Sequence, residues 1–111
     1  MAETRYTFYE VASLDEIPPG ERLLLEIEGF LITLFNVSGE LFAVDDTCSH
    51  EDCSLGEGDL EGYEIICPCH FARFDIRTGK VLAPPAVVDI ATYPVRVENG
   101  KVFVGVPEEA T

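Results

Sequence analysis

The sequence has few basic residues and no long apolar run. Only 7 of its 111 residues are Lys or Arg, against 21 Asp and Glu, so its formal net charge is −14. This charge repels phosphate backbones and anionic lipid headgroups, which argues against nucleic acid and membrane partners. The longest apolar stretches, such as Phe30 to Phe35, are far shorter than the about 18 residues that a membrane-spanning helix needs. The acidic surface either steers the protein toward a basic docking face or simply keeps it solvated.

The start of the chain also lacks the features of a targeting segment. Met1 to Arg5 contain neither an apolar signal region nor paired arginines. We therefore expect a cytoplasmic location. With 47% apolar residues, a chain of this length can close one core of modest size, so we expect a single domain over residues 1–111.

What the chain does contain is a series of short alternating runs separated by turn residues. This pattern is typical of stacked antiparallel β-sheets and predicts an all-β fold, a β-sandwich. The turn residues Glu28-Gly29 and Ser38-Gly39 separate the runs of a predicted meander. Its expected strands are 22–27, 30–35 and 40–44.

Two further local signals lie near the ends of the chain. Asn99-Gly100 between alternating runs is a strong hairpin signal. The residues that we expect to share a face on each side of it are Tyr93, Val95 and Val97 before the turn, and Val102, Val104 and Val106 after it. Ser13 to Glu16 predict one helical turn, with Ser13 as cap and Glu16 reaching back, which Pro18-Pro19-Gly20 ends.

The alternation weakens between about Thr47 and Pro85, where Cys, His, Gly and Pro concentrate. Two motifs stand out there: C-x-H, formed by Cys48 and His50, and C-x-x-H, formed by Cys67 and His70. Thiolate and neutral imidazole are good ligands for iron or zinc. Because strand-like segments follow both motifs, the two loops can lie side by side at the end of a sheet. The sequence therefore predicts a metal site to which each loop gives one sulfur and one nitrogen ligand.

Two other kinds of site use the same residue types. Two Cys and two His also form structural zinc sites, but these four residues lack the typical C-x₂₋₄-C and H-x₃₋₅-H spacings. A catalytic Cys–His pair is disfavoured because Cys67 and His70 have no acidic or amide orienting residue nearby in sequence. The matching first pair, Cys48 and His50, would also be unexplained. The pattern thus favours an iron cluster.

From about Leu41 to Val106 the chain resembles the Rieske ferredoxins. Besides the ligand spacing, Phe71 to Lys80 and the later Ala83-Pro84-Pro85 look like the ferredoxin components of bacterial aromatic-ring-hydroxylating dioxygenases. The resemblance implies a Rieske fold with a cluster-binding loop subdomain. The implied boundaries are a cluster-binding region at about 46–86, inserted in a β base formed by about 4–45 and 87–107.

The resemblance also implies a cofactor and a role. It implies one [2Fe-2S] cluster, with Cys48 and Cys67 on one iron and His50 and His70 on the other. Such proteins pass single electrons from a flavin-containing ferredoxin reductase to a terminal oxygenase, without catalysis of their own. The alternative is a Rieske-like small subunit of an assimilatory nitrite reductase or another reductase complex, fixed to its partner.

Residues around the second motif bear on the reduction potential. Rieske ligation places potentials between about −150 and +300 mV, against about −400 mV for plant-type all-cysteine clusters. In high-potential respiratory relatives, a Ser and a Tyr after the second ligand loop donate hydroxyl hydrogen bonds to the cluster; the matching positions here are Ala72 and Phe74. Nearby acidic residues also disfavour an added electron: Glu51, Asp52, Glu57 and Asp59. We predict a potential in the lowest third of the range.

Cys53 and Cys69 depart from the oxygenase-ferredoxin pattern. By resemblance they match two cysteines that form a disulfide between the ligand loops of respiratory and photosynthetic Rieske proteins. A cytoplasmic address favours free thiols, but an assembled cluster would hold the two close, and we predict the disulfide. The residues that could shield the cluster, or serve as ordinary core and turn residues, are Leu55, Phe71, Pro84 and Pro85.

Overall fold

The computed structural model of the protein describes residues 5–48, 53–69, 71–84, 86 and 88–108. These residues form antiparallel sheets and two single-turn 3₁₀-helices, Leu14–Glu16 and Leu55–Glu57, so the all-β prediction is confirmed. The strands are β1 Tyr6–Ser13, β2 Arg22–Ile27, β3 Phe30–Val37, β4 Glu40–Asp45, β5 Asp59–Glu61, β6 Glu64–Ile66, β7 Arg73–Asp75, β8 Val81–Ala83, β9 Thr92–Tyr93, β10 Val95–Glu98 and β11 Lys101–Pro107. In the part of the chain just defined, no helix is long and apolar enough to cross a membrane.

The predicted meander forms one base sheet, with strand order β2-β3-β4-β9. Its two turns place Glu28-Gly29 and Ser38-Gly39 at positive φ, as two-residue hairpin turns of the primed type require. β3 runs two residues beyond the predicted end, because Asn36 and Val37 still pair with Leu41 and Glu40. The meander prediction is therefore confirmed.

The second base sheet has the order β1-β11-β10 and contains the predicted Asn99-Gly100 hairpin. Both turn residues have positive φ. Val95 and Val97 share a face of β10, opposite Val104 and Val102, as predicted, although Val97 is 46% exposed. Tyr93 and Val95 do contact the same core, but Tyr93 pairs with β4 and Val95 with β11. Pro94, which has no N–H to donate, lies where the chain changes sheets.

The two base sheets pack face to face around one apolar core, as in a β-sandwich. Its buried members from β3, β4 and β11 are Ile32, Leu34, Ala43, Val102, Val104 and Val106. The predicted helical turn lies at the edge of this sandwich, where the Ser13 N–H donates to Glu16 Oε1 at 2.8 Å. Glu16 thus reaches back as predicted.

A third sheet, β5-β6-β7-β8, lies within the range 46–86. It encloses a second core together with Phe35 and Val44, which project from the other face of the first base sheet. β3 and β4 are thus covered on both faces, which explains why residues 30–35 are mostly apolar and do not alternate with polar residues. The predicted metal-site cysteines belong to this second core.

Candidate metal centre

The first cysteine loop leaves the base sheet at the end of β4. Cys48 is buried, and its N–H donates to the carbonyl of Cys53 at 3.0 Å. Thr47 and Ser54 form an antiparallel bridge, so the chain returns along itself. The predicted ligand His50, with Glu51 and Asp52, falls outside the described residues.

The second cysteine loop is a tight hairpin loop between β6 and β7. The Cys67 N–H donates to the carbonyl of Ala72 at 2.8 Å, and the Cys67 carbonyl accepts from the Phe71 N–H at 2.9 Å. Cys67 is fully buried, whereas Phe71 has a positive φ and is 72% exposed. His70 also falls outside the described residues.

The two loops bring their buried cysteines together. Cys48 and Cys67 pack in one apolar cluster with Leu55, Ala72 and Phe74, and neither is in a disulfide. The remaining pair, Cys53 and Cys69, is joined as a disulfide between the loops, with Cα atoms 6.5 Å apart. Two sulfur donors from different loops therefore lie in one water-poor core.

This donor set fits the sulfur half of a two-iron, two-sulfur cluster. In its Rieske form, such a cluster takes two thiolates on one iron and two imidazoles on the other. The buried thiols of Cys48 and Cys67 come from separate loops that a disulfide links, as a bridging metal group would need. Zinc would also accept thiolates, but the four predicted ligands lack the usual spacings of structural zinc sites.

The two positions that lack the hydroxyl groups of high-potential relatives, Ala72 and Phe74, pack in the cluster with the cysteines. Ala72 and Phe74 are both fully buried. Of the expected shielding residues, Leu55 is fully buried beside the cysteines, while Phe71 and Pro84 are exposed. Pro85 falls outside the described residues.

The charged residues of the third sheet form local ion pairs. Arg73 Nη1 lies 3.1 Å from Glu61 Oε1 and 3.4 Å from Glu64 Oε1, and the hydrogen bond to Glu61 raises the pKa of Arg73. Arg77, in the turn after β7, binds Asp75 at 3.0 Å and lowers its pKa. Both arginines thus pair with carboxylates of the same sheet.

Glu57 and Asp59 are exposed beside the first loop. No sequence pattern pointed to the polar group beneath that loop. Asp46 is buried, and its Oδ1 accepts hydrogen bonds from Thr33, Ser54 and the Gly56 N–H. The local feature that could have pointed to it is Thr33, which lies within the apolar run of β3, since a buried hydroxyl needs a hydrogen-bond partner.

Comparison with known proteins agrees with this geometry. The sequence model of the Rieske [2Fe-2S] domain matches residues 7–94. The ferredoxin component of the naphthalene 1,2-dioxygenase/salicylate 5-hydroxylase systems of Ralstonia sp. is 45% identical over 94 residues, covering 85% of this chain and 90% of that protein. In a solved complex of reduced oxygenase and oxidized ferredoxin in carbazole 1,9a-dioxygenase, one chain superposes with a TM-score of 0.85 at 28% identity. The alignment covers 94% of this chain and 97% of that one.

A similar fold occurs in a reductase subunit. A chain from Mycobacterium tuberculosis, assigned as the small subunit of an NADH-dependent nitrite reductase, has a TM-score of 0.80, and the alignment covers 96% of this chain and 99% of that one. At 22% identity, this likeness shows the fold alone. The ferredoxin relatives are much more similar in sequence. The chain therefore belongs to the Rieske [2Fe-2S] domain family and carries a Rieske-type [2Fe-2S] cluster.

Proposed function

We propose that the protein is the ferredoxin component of an aromatic-ring dioxygenase system. It takes single electrons from a flavin-containing ferredoxin reductase and gives them to a terminal oxygenase, with no catalysis of its own. The observation that carries this proposal is the convergence of Cys48 and Cys67 in one buried cluster. The 45% identity to a dioxygenase ferredoxin component supports the same role.

The ligand assignment rests on the likeness of the two motifs to those of the Rieske family. Cys48 and Cys67 hold one iron, and His50 and His70 hold the other. When bound, the cluster supplies one-electron redox chemistry. The buried apolar side chains of Leu55, Ala72 and Phe74 exclude water from the two thiolates.

The net charge of the chain and a solved complex of a similar ferredoxin support the proposed protein partners. A net charge of −14, with Glu57 and Asp59 exposed beside the first loop, suits a basic docking face on a protein partner. A solved complex of ferredoxin with a carbazole dioxygenase oxygenase supports the oxygenase partner. The reductase follows from the family role, and the same charge disfavours nucleic acid or a membrane.

The domain boundaries and location belong to the same proposal. One domain spans residues 1–111, with a cluster-binding region at about 46–86 in a base of about 4–45 and 87–107. The third sheet, which lies wholly within 46–86, supports this division. We place the protein in the cytoplasm, where reductase and oxygenase components would share one compartment.

We expect electrons to enter and leave through the ligand histidines, His50 and His70. Because a ferric ion withdraws electron density from imidazole, the bound rings should hold protons more tightly after reduction. The midpoint potential should then fall at strongly alkaline pH, which voltammetry across the pH range would measure. A midpoint unchanged from neutral to strongly alkaline pH would contradict this coupling.

Reconstitution tests the function directly. The purified protein is mixed with NADH, a dioxygenase-type flavin reductase and a naphthalene or biphenyl oxygenase, and oxidised product is measured. We expect product with wild-type protein and none with Cys67→Ser, which removes a proposed ligand. The matched control is the double variant Cys53→Ser/Cys69→Ser, which removes only the disulfide pair and should still support turnover.

Two further observations bear on the alternatives. Purification as a stable complex with a nitrite reductase catalytic subunit, and no oxygenase turnover, would favour the reductase-subunit alternative.

Alkylation without reductant, followed by mass measurement, tests the Cys53–Cys69 disulfide. If Cys53 and Cys69 are alkylated in the loaded protein, the two residues are free thiols and the predicted disulfide is wrong.

A further inference from the structure

A buried carboxylate ties the first cysteine loop to the base. Asp46 Oδ1 accepts hydrogen bonds from Thr33 Oγ1 at 2.6 Å, from Ser54 Oγ at 2.9 Å and from the Gly56 N–H at 2.8 Å. Thr33 lies in β3, whereas Ser54 and Gly56 lie in the returning half of the loop, just after Cys53. One oxygen atom therefore joins the loop to the base sheet.

Arg22 holds the same segment from β2. Its Nη1 donates to the carbonyl oxygens of Gly56 at 2.9 Å and Gly58 at 2.7 Å. The guanidinium lies 5.1 Å from the centroid of the Phe35 ring, which keeps it over the base sheet. Gly56 thus donates to a carboxylate and accepts from a guanidinium, so two opposite charges hold one residue of the loop.

The main chain at Gly56 also lies directly against the base. A Cβ added at Gly56 would lie 2.8 Å from Thr33 Oγ1, and 2.9 Å from both Asp46 Oδ1 and Leu24 Cδ1. Real Cβ atoms do not approach other atoms so closely, since packed interiors leave no such overlap. Only glycine lets the loop reach both polar side chains.

The anchored segment is connected to both cysteines of the metal centre. The Leu55 N–H donates to the Asp46 carbonyl at 2.6 Å, and the Leu55 side chain packs in the cluster with Cys48 and Cys67. The Cys53 carbonyl accepts from the Cys48 N–H at 3.0 Å. A shift of the segment would therefore move the contacts of both thiols.

We propose, building on the function proposed above, that Asp46 and Arg22 are positioning residues of the metal centre. Neither is a ligand. They fix the first cysteine loop against the base sheet, and thereby fix its place relative to the second loop. Their hydrogen bonds govern how slowly iron is lost from the metal centre and which ligand geometry the iron has, as the g values report. Thr33 and Ser54 complete the same anchor through the shared carboxylate oxygen.

Loaded variants test this role. The variants are Asp46→Ala and Arg22→Gln, and the matched control is Asp45→Asn. Asp45 is the neighbouring carboxylate, but it binds the Tyr93 hydroxyl and the Ala91 N–H instead of the loop. Iron loss to a chelator and the electron paramagnetic resonance g values of the reduced protein are measured for each variant.

We expect iron loss about tenfold faster in Asp46→Ala and Arg22→Gln, because each variant removes hydrogen bonds to a charged group. The g values should shift in both, and the Leu55 and Gly56 amides should exchange hydrogen faster. Asp45→Asn should keep wild-type g values and iron retention even where it lowers thermal stability. The double variant Thr33→Val/Ser54→Ala keeps the carboxylate and should show the same changes to a smaller extent. It replaces Asp46→Ala in the test if that variant does not fold.

The failing outcomes can be told apart. Wild-type protein without iron and sulfide would defeat the proposed function itself. A loaded wild type, with unchanged iron loss and g values in Arg22→Gln and in Thr33→Val/Ser54→Ala, would overturn the positioning role alone. Midpoint shifts of opposite sign in Asp46→Asn and Arg22→Gln, with unchanged iron retention, would mean that the two residues act by charge only, and would also overturn it.

Discussion

The two cysteine loops are held in different ways. The first loop is fixed by charged side chains: Asp46, which directly follows β4 at the start of the loop, and Arg22, which lies in β2 of the base. The second loop is closed by its own main chain, through the bonds of Cys67 with Phe71 and Ala72. The first loop therefore depends in part on residues remote in sequence, Arg22 and Thr33, whereas the second depends on the sheet from which it projects.

This difference predicts where substitutions will act. A change in β2 or β3 of the base should disturb the first loop and leave the second intact. A change in the core of the third sheet should disturb the second loop first. The disulfide between Cys53 and Cys69, the shared apolar cluster and the pairing of β5 with β6 connect the two loops.

The largest effect is expected where the support of the second loop is removed. Phe74 is fully buried in β7, directly after that loop. Phe74→Ala should lower the free energy of unfolding by about 3–5 kcal/mol, since it removes a large core side chain and leaves a cavity. Denaturant unfolding measures the loss, and Leu82→Ala, at a 46% exposed position of β8, is the control. Equal losses in the two variants would contradict this account of the second loop.

A smaller effect is expected where the first loop meets the base. Gly56→Ala should cost about 1–3 kcal/mol, because the new Cβ overlaps Thr33, Asp46 and Leu24. The control is Gly62→Ala in the β5–β6 turn, where a Cβ meets nothing within 4 Å and only the positive φ is strained. We expect faster iron loss in Gly56→Ala alone. Equal iron loss in both glycine variants would show that the anchor does not hold the first loop.

The second loop should also set the potential. Without a hydroxyl at Ala72 or Phe74, the midpoint should lie in the lowest third of the Rieske range, below about 0 mV. Phe74→Tyr, if its hydroxyl reaches the cluster, should raise it by about 60 mV, the equivalent of one hydrogen bond to a charged group. Voltammetry measures both values. A wild-type midpoint above about +100 mV would refute this interpretation of Ala72 and Phe74.

The smallest effect concerns an ion pair on the sheet below the second loop. Arg77 lowers the pKa of Asp75, so the pair stabilises the fold above the unfolded-state pKa of Asp75, and this stability is lost as pH falls through its lower folded-state pKa. Arg77→Gln should therefore lower the thermal unfolding temperature only slightly at neutral pH, because an exposed ion pair contributes little. Thermal unfolding at neutral and strongly acidic pH should show a difference that disappears in acid. A difference that persists there would assign the effect to packing of Arg77 over Tyr63.

Sequence patterns predicted the strands well because the determinants were local. Alternation and the turns at Glu28-Gly29 and Ser38-Gly39 fixed the meander, and the cysteine spacing identified two residues that the structure places in one core. Tyr93 was predicted to share a face with Val95 and Val97 but lies in the other base sheet, because no local pattern shows that the chain changes sheets at Pro94.

The anchor of the first loop could not be predicted in the same way. Arg22 and Gly56 are 34 positions apart, and their contact depends on how β2 lies beside the loop. Asp46 gave no signal, since an acidic residue in an acidic chain is usually solvated. Contacts of this kind follow from the packed fold and have no local pattern.

The most direct test of the metal centre is the iron, zinc and acid-labile sulfide content of protein made under iron-replete anaerobic conditions. Family membership predicts two irons and two sulfides in each chain, with no stoichiometric zinc. Mössbauer spectroscopy of the same sample should show two unequal iron sites, one with thiolate and one with imidazole ligands. Stoichiometric zinc, or iron without sulfide, would contradict a cluster held between the two loops.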